Sequence, residues 1–204
     1  MFLLYALLIG LIAGFVLGGR PAGLLELRFR WGGLMVAGLL IQVALFSDLV
    51  AERVGVLGPP VYVGSTVLVL GAVARNLAIP GVGIVVAGAL SNLAAIVANG
   101  GFMPASPAAL ASLGRSPATI YSNSAVVPDP ALWPLTDIFA LPRWVPFANV
   151  FSVGDVLIAV GVVVAMVVAM RRAPRPNGAN DHADPAPPGP ADPVRADTSI
   201  ERPA

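Results

Sequence analysis

Five long apolar runs limit what this chain can fold into more than any other feature. A helix needs about 20 apolar residues to cross the hydrocarbon core of a bilayer. The runs cover about residues 2–18, 31–50, 56–74, 77–98 and 153–170. Composition agrees, because 57% of the residues are hydrophobic and only 11% are charged, against about 25% charged in soluble domains. We therefore expect an all-α polytopic membrane protein, built as a bundle of five transmembrane helices.

The placement of arginine between the runs predicts the orientation, because short arginine-rich loops stay in the cytoplasm. Seven arginines follow the first, third and fifth runs, and three lie on the opposite side. This pattern predicts an N-terminus outside, an extracytoplasmic segment over 99–152 and a cytoplasmic C-terminus. All 12 basic residues are arginine, and Ala, Val and Gly dominate, which suggests a GC-rich bacterial gene and hence the bacterial plasma membrane.

The last part of the chain differs in composition from the rest. Residues 173–204 are rich in Pro, Ala and Asp and contain almost nothing apolar, so we expect a disordered cytoplasmic tail after a transmembrane domain over 1–172. The chain has no cysteine, and its one histidine, His182, lies in this tail. We therefore expect no metal and no cofactor in the membrane region.

Small residues recur every four positions on two of the predicted helices. Gly10, Gly14 and Gly18 form such a series on the first, and Gly161, Ala165 and Ala169 on the fifth. These patterns let helix backbones approach closely, either within one chain or between two copies. The expected partners are membrane lipids and another membrane protein or a second copy of the chain, with no nucleic acid.

Two amides fall within predicted spans, Gln42 in the second and Asn92 in the fourth. Lipid exposure would leave both amides without hydrogen bonds, so each must face protein or a water-filled cavity. The simpler interpretation is a hydrogen bond to a neighbouring helix, and the alternative is a role in binding a ligand.

The segment over 99–152 has its own local signals. Ser106, Pro107 and Gly114 predict a short helix with a serine cap, a proline in the first turn and a glycine at its end. Pro134 and the following IFAL suggest a second short helix at the interface. Five aromatic residues precede the last span, as expected for rings at headgroup level: Trp133, Phe139, Trp144, Phe147 and Phe151.

Ser152 and Asp155 start the last span and have two interpretations. Their spacing matches a capping box, in which the serine and the carboxylate bond each other's free backbone N–H groups. Polar residues at the exit of the fourth span and the start of the fifth also fall at one membrane depth. The alternative is therefore a shallow ligand-binding pocket made by Asn99, Asp137, Asn149, Ser152 and Asp155.

Five segments together resemble a known family: IGLIAGFVLGGR, WGGLMVAGLLIQ, NGGFMP, LTDIF and NVFSVGD. They are similar to the bacterial domain of unknown function 5317 family of small multi-pass membrane proteins. The resemblance spans about residues 1–172. It implies the same helical membrane architecture and supplies no catalytic residue, because the family has no established activity.

Three classes of function remain open from the sequence. The first, which we favour, is a binding, scaffold or regulatory protein with a recognition surface at the extracytoplasmic ends of the fourth and fifth spans. The second is a small-molecule or ion transporter that works as an oligomer. The third is a membrane-embedded hydrolase that uses Asp137 and Asp155 as an acid and base pair, although we do not expect an enzyme.

Overall fold

Helices carry all five apolar runs in the computed structural model, which describes residues 2–114 and 124–172. Arg115 and the predicted disordered tail over 173–204 lie outside the described residues. Two short 3-10 helices cover Gly55–Leu57 and Trp133–Leu135. The α-helices are α1 (Phe2–Val16), α2 (Ala22–Leu25), α3 (Gly32–Leu45), α4 (Asp48–Val54), α5 (Gly58–Ala74), α6 (Val82–Ala98), α7 (Pro107–Ser112) and α8 (Val153–Arg172).

The five long helices are neighbours in a fixed spatial order. α8 packs against both α1 and α6, α6 also packs against α5, and α5 packs against α3. The order across the bundle is therefore α1, α8, α6, α5, α3. The two helices at the ends of this series, α1 and α3, do not pack closely against each other.

Two helical stretches are long and apolar enough to cross a membrane. They are Asp48–Ala74, with 27 residues and a mean hydropathy of 1.7, and Val153–Arg172, with 20 residues and a mean hydropathy of 2.6. The other predicted spans form shorter apolar helices over Leu3–Val16, Gly32–Leu45 and Val82–Ala98.

Several helix boundaries differ from the predicted spans. The second run was expected to continue to residue 50, but α3 ends at Leu45 and Ser47 is extended, with φ −74° and ψ 145°. The fourth run was expected to start at 77, but α6 starts at Val82. Pro80 lacks an N–H group, and Gly81 has a left-handed backbone with φ +88°, so a turn precedes the helix.

The NGG sequence ends α6 by a Schellman motif. Gly100 has φ +72°, which a side chain would oppose. The N–H of Gly101 donates to the carbonyl of Ile96 at 2.8 Å, and that of Gly100 to the carbonyl of Val97 at 3.3 Å. These are the two bonds that define this helix end, and they turn the chain into the segment after α6.

The segment between α6 and α8 is organised by short strand pairs. β1 (Met103–Pro104) pairs in parallel with β2 (Ser124–Ala125), and β3 (Phe139–Ala140) pairs antiparallel with β4 (Val150–Phe151). The helix suggested for IFAL is therefore wrong, because Phe139 and Ala140 are extended and bond the residues just before α8. Pairing across the loop overrides the local preference of these residues.

The predicted short helix is confirmed as α7. The Ser106 hydroxyl accepts a hydrogen bond from the N–H of Ala109 at 3.5 Å, and Gly114 follows the helix with φ +67°. Ala109 packs with Ala105 and Val150 in a small apolar cluster. Met103 packs beside Ile96 of α6 in a second cluster, so the described parts of the segment contact the end of the bundle.

Two glycines of the series on α1 pack against another helix of the same chain. A side chain at Gly10 would collide with Met166 of α8, and one at Gly14 with Met170. Gly18 has no neighbour within 4 Å of an added Cβ and lies after the helix end. The first two glycines therefore bring α1 against α8, and the third has another role: it ends the helix with φ +77°.

Two long-range contacts join the turns at the other end of the bundle. The N–H of Arg20 donates to the carbonyl of Met170 at 2.7 Å. The side chain of Asn76 is buried and bonds the backbone of Arg30 twice, accepting from its N–H at 2.7 Å and donating to its carbonyl at 3.0 Å. The turn after α1, the turn after α5 and the end of α8 therefore lie together.

Candidate functional site

A cleft lies among the five long helices. We call it the central cleft; its volume is about 380 Å³. Side chains of α1, α3, α5, α6 and α8 line it, for example Leu3, Leu39, Leu70 and Val162. α1 and α3 both contribute to the lining, although they do not pack closely against each other.

The cleft has an apolar wall and a smaller set of polar side chains. The polar members come from α3, α5, α6, α8 and the segment before β3. They are Gln42, Tyr62, Thr66, Asn92, Asp137 and Asp155. A mostly apolar concave site with a few converging polar groups is the usual form of a small-molecule site.

The capping box at the start of α8 is confirmed. The N–H of Asp155 donates to the Ser152 hydroxyl at 3.1 Å, and the N–H of Ser152 donates to Asp155 Oδ2 at 3.0 Å. Ser152 is fully buried, whereas Asp155 is half-buried. One carboxylate oxygen of Asp155 therefore serves the cap.

The other carboxylate oxygen of Asp155 bonds α6. Asn92 Nδ2 donates to Asp155 Oδ1 at 2.9 Å, and the Ser152 hydroxyl donates to Asn92 Oδ1 at 2.8 Å. Gly154 makes this approach possible, since a Cβ there would collide with the Asn92 amide and with the carbonyl of Gly88. Asn92 thus faces protein, as the sequence predicted, and it joins the cap to the neighbouring helix.

Gln42 also has the helix partner that the simpler interpretation required. Its Nε2 donates to the Thr66 hydroxyl of α5 at 3.2 Å, and that hydroxyl donates to the carbonyl of Tyr62 at 2.8 Å. All three residues line the central cleft. Sequence reasoning missed Tyr62 and Thr66, although their i, i+4 spacing at polar positions of an apolar helix was a usable signal.

Asp137 reaches the same cleft from the loop. Asp137 is buried, with 6% of its surface exposed. Its N–H donates to the carbonyl of Pro104 at 2.9 Å, and its carbonyl accepts from the N–H of Ser106 at 3.0 Å. Backbone bonds on both sides therefore hold Asp137 in place. Asp137 and Asp155, which are 18 positions apart in sequence, both line the cleft.

Asn99 and Asn149 lie outside the cleft lining. Asn99 Nδ2 donates to the carbonyls of Ala95 at 2.8 Å and Ala131 at 2.9 Å, and Oδ1 accepts from the N–H of Ala131 at 2.9 Å. Asn149 is half-buried, and its carbonyl accepts from the N–H of Leu141 at 3.0 Å. The pocket expected from the sequence is thus rearranged: Asn92 joins Ser152 and Asp155, while Asn99 attaches the loop to the end of α6.

Among the described residues, the charge of the cleft lining is one-sided. These residues include the carboxyl groups of Asp137 and Asp155 and no arginine, lysine or histidine. Within residues 2–114 and 124–172, no three His, Cys, Asp or Glu side chains form a group that could hold a metal ion. The lining can therefore offer a ligand hydrogen-bond acceptors and negative charge beside an apolar wall.

Fold and site together define a small, mostly helical protein with two helices long and apolar enough to cross a membrane and a cleft between its helices that is lined by apolar side chains and a few polar ones. The model of a protein family described as "Family of unknown function (DUF5317)" matches residues 26–167, and the chain belongs to that family. No curated protein matches the chain, and no solved structure matches it.

Proposed function

We propose that this chain is a multi-pass protein of the bacterial plasma membrane that binds a small amphipathic molecule in the central cleft. The ligand has an apolar body and a cationic head, such as a protonated amine. The observation that carries the proposal is the cleft itself, with an apolar wall, the half-buried carboxylate of Asp155 and no basic residue among the described residues of its lining.

Exposure of apolar side chains supports a membrane setting. Only 17% of the most apolar window in Asp48–Ala74 and 22% of that in Val153–Arg172 is buried by the rest of the protein. Large apolar side chains also lie exposed on α1 and α3, among them Leu8, Ile12 and Leu40. Such a surface in water would drive association, whereas lipid would cover it.

Contacts at one end of the bundle support the proposed five-span topology. The three arginine-bearing segments that the topology assigns to the cytoplasm are those joined by the bonds of Arg20 with Met170 and of Arg30 with Asn76. Asp137 and the start of α8 then belong to the extracytoplasmic end. α1, α3 and α6 are shorter than a full span, so residues flanking them must complete the crossing.

Charge favours a cationic ligand over a neutral or anionic one. A carboxylate such as that of Asp155 near a low-dielectric wall interacts strongly with a cation, because charges attract more when water is partly excluded. α1 and α3 do not pack closely against each other, and we propose that such a molecule enters between them from the bilayer. Asp155 is the better contact, since it is half-buried and each carboxylate oxygen holds only one bond described above.

Calorimetry with matched eight-carbon probes tests the proposal: octylamine, octanol and octanoate, each added to the detergent-solubilised full chain. We expect octylamine to bind more tightly than the other two. Asp155→Asn should weaken octylamine binding about tenfold, which corresponds to about 1.4 kcal/mol of lost charge interaction. Asp48→Asn is the matched control, because Asp48 is exposed and lies outside the cleft lining.

Asp155→Asn should leave the fold intact. The new amide can accept from Ser152 N–H and donate to Asn92 Oδ1 if the Asn92 amide turns to donate to the Ser152 hydroxyl. The change then removes mainly the charge at the helix N-terminus, worth about 0.3–1 kcal/mol. Equal octylamine affinity in the folded Asn variant and the unaltered chain would rule out the carboxylate as the recognition group. Octanoate binding to the unaltered chain as tight as that of octylamine would rule it out as well.

A further inference from the structure

We propose that a second surface, the groove between α1 and α8, binds an acidic phospholipid, with an acyl chain along the helices and the phosphate at Arg143. This proposal rests on the membrane setting proposed above but not on ligand binding in the central cleft. The groove and the cleft share no lining residue.

The groove offers an apolar slot on the outside of the bundle. Its volume is about 520 Å³, and its lining comes from one face of α1 that includes Tyr5 and Ile9, one face of α8 between Val156 and Val164, and two loop residues, Leu141 and Val145. Tyr5 carries the only hydroxyl among the described lining residues, and this hydroxyl donates to the carbonyl of Pro146. The lining on α8 extends for about 12 Å at 1.5 Å per residue, so the groove suits an extended hydrocarbon chain.

A cation lies at the loop end of this groove. Val145 lines both the groove and an adjoining open depression of about 380 Å³, whose lining includes Arg143. Arg143 is exposed; its Nε donates to the carbonyl of Ser112, and its Nη2 donates to that of Ala111 at 3.0 Å. Both acceptors are neutral, and a guanidinium has five N–H donors, so donors and charge remain to bind a phosphate.

Aromatic side chains next to Arg143 indicate the depth at which it lies. Trp144 is 84% exposed and Phe147 is 65% exposed, and exposed rings of this kind lie at the headgroup level of a bilayer. Arg143 therefore meets lipid phosphates while the groove below meets acyl chains. A lipid with net negative charge is favoured, because a zwitterionic headgroup carries its own cation that Arg143 repels.

Lipid titration of the full chain in dodecyl maltoside, followed by native mass spectrometry, tests this proposal. The probes are phosphatidylglycerol and phosphatidylcholine with the same acyl chains. We expect phosphatidylglycerol to bind about fivefold more tightly, as for one arginine near an anionic headgroup. Arg143→Gln should remove this preference, and added salt should weaken it in the unaltered protein.

A groove-filling substitution separates a specific site from general lipid contact. Ala159→Phe fills the groove and should weaken both lipids about tenfold, a loss that corresponds to an excluded acyl-chain segment. Ala94→Phe is the matched control, because Ala94 is exposed on α6 and lines neither the groove nor the cleft. Unchanged lipid binding in Ala159→Phe, or equal binding of the two lipids by the unaltered chain, would overturn the proposal.

The same samples distinguish failure of this proposal from failure of the proposed function. Weaker octylamine binding in Asp155→Asn with intact lipid preference supports both proposals, since the two surfaces are separate. Absence of octylamine binding with intact lipid preference overturns only the cleft proposal. A chain that stays monomeric in water without detergent overturns the membrane setting, and this lipid site with it.

Discussion

Removal of the Asn92 side chain should separate α6 from the start of α8. Asn92→Ala deletes the donor to Asp155 Oδ1 at 2.9 Å and the acceptor for the Ser152 hydroxyl at 2.8 Å. It also leaves a gap beside Gly154, which has no side chain to fill it. The carboxylate and the hydroxyl then lose these hydrogen bonds to α6.

The expected cost follows from the two bonds. A hydrogen bond to a charged group contributes about 1.5–3 kcal/mol, and a neutral one between membrane helices about 0.6 kcal/mol. Asp155 is half-buried, so water in the cleft can replace part of the first bond, and its contribution falls at the lower end. We therefore expect Asn92→Ala to lower the free energy of unfolding by about 2 kcal/mol.

Equilibrium unfolding in mixed micelles, followed by tryptophan fluorescence, measures this loss. Ser91→Ala is a matched control from the same helix turn. The Ser91 hydroxyl is buried and has no hydrogen-bond partner among the described residues, so its removal should be neutral or stabilising by up to about 1 kcal/mol. If the two variants unfold within about 0.5 kcal/mol of each other, the argument that this network joins α6 to α8 is refuted.

Two further predictions concern helix contact and topology. Gly154→Ala should destabilise the fold by more than about 2 kcal/mol, because the new Cβ meets the Asn92 side chain and backbone atoms; Gly64→Ala, with nothing within 4 Å of its Cβ, should stabilise it by about 0.5–1 kcal/mol. A similar loss of unfolding free energy in both variants would contradict close packing at Gly154. In this cysteine-free chain, a membrane-impermeant thiol reagent should label Ser112→Cys in intact cells and spare Ser199→Cys. The reverse labelling would invert the proposed orientation.

Local features of the fold could be predicted from the sequence. The capping box at Ser152, the α7 helix after Ser106 and the helical character of all five apolar runs follow from residues within a few positions of one another. Their hydrogen bonds close within one helix turn, so neighbouring residues determine them. Family membership was also predicted, and four of the five segments quoted for the resemblance lie within the matched residues 26–167.

Boundaries and loop pairing were harder to predict. The start of α6 depends on the turn at Pro80 and Gly81. The residues around this turn are as apolar as the helix itself. The pairing of Phe139 with Phe151 depends on residues 12 positions apart. Apolar composition predicts the centre of a helix well and its ends poorly, because the hydrophobicity of side chains does not determine where the backbone hydrogen bonds end.

The central cleft depends on tertiary structure alone. The sequence identified Asn92 and Gln42 as amides that needed partners, because unpaired polar groups are costly away from water, and Asp137 and Asp155 as candidate pocket residues. It contained no information on which helices are neighbours. Asn92 and Asp155 lie 63 positions apart, and only the packing of α6 against α8, permitted by the absence of a side chain at Gly154, brings them to hydrogen-bond distance.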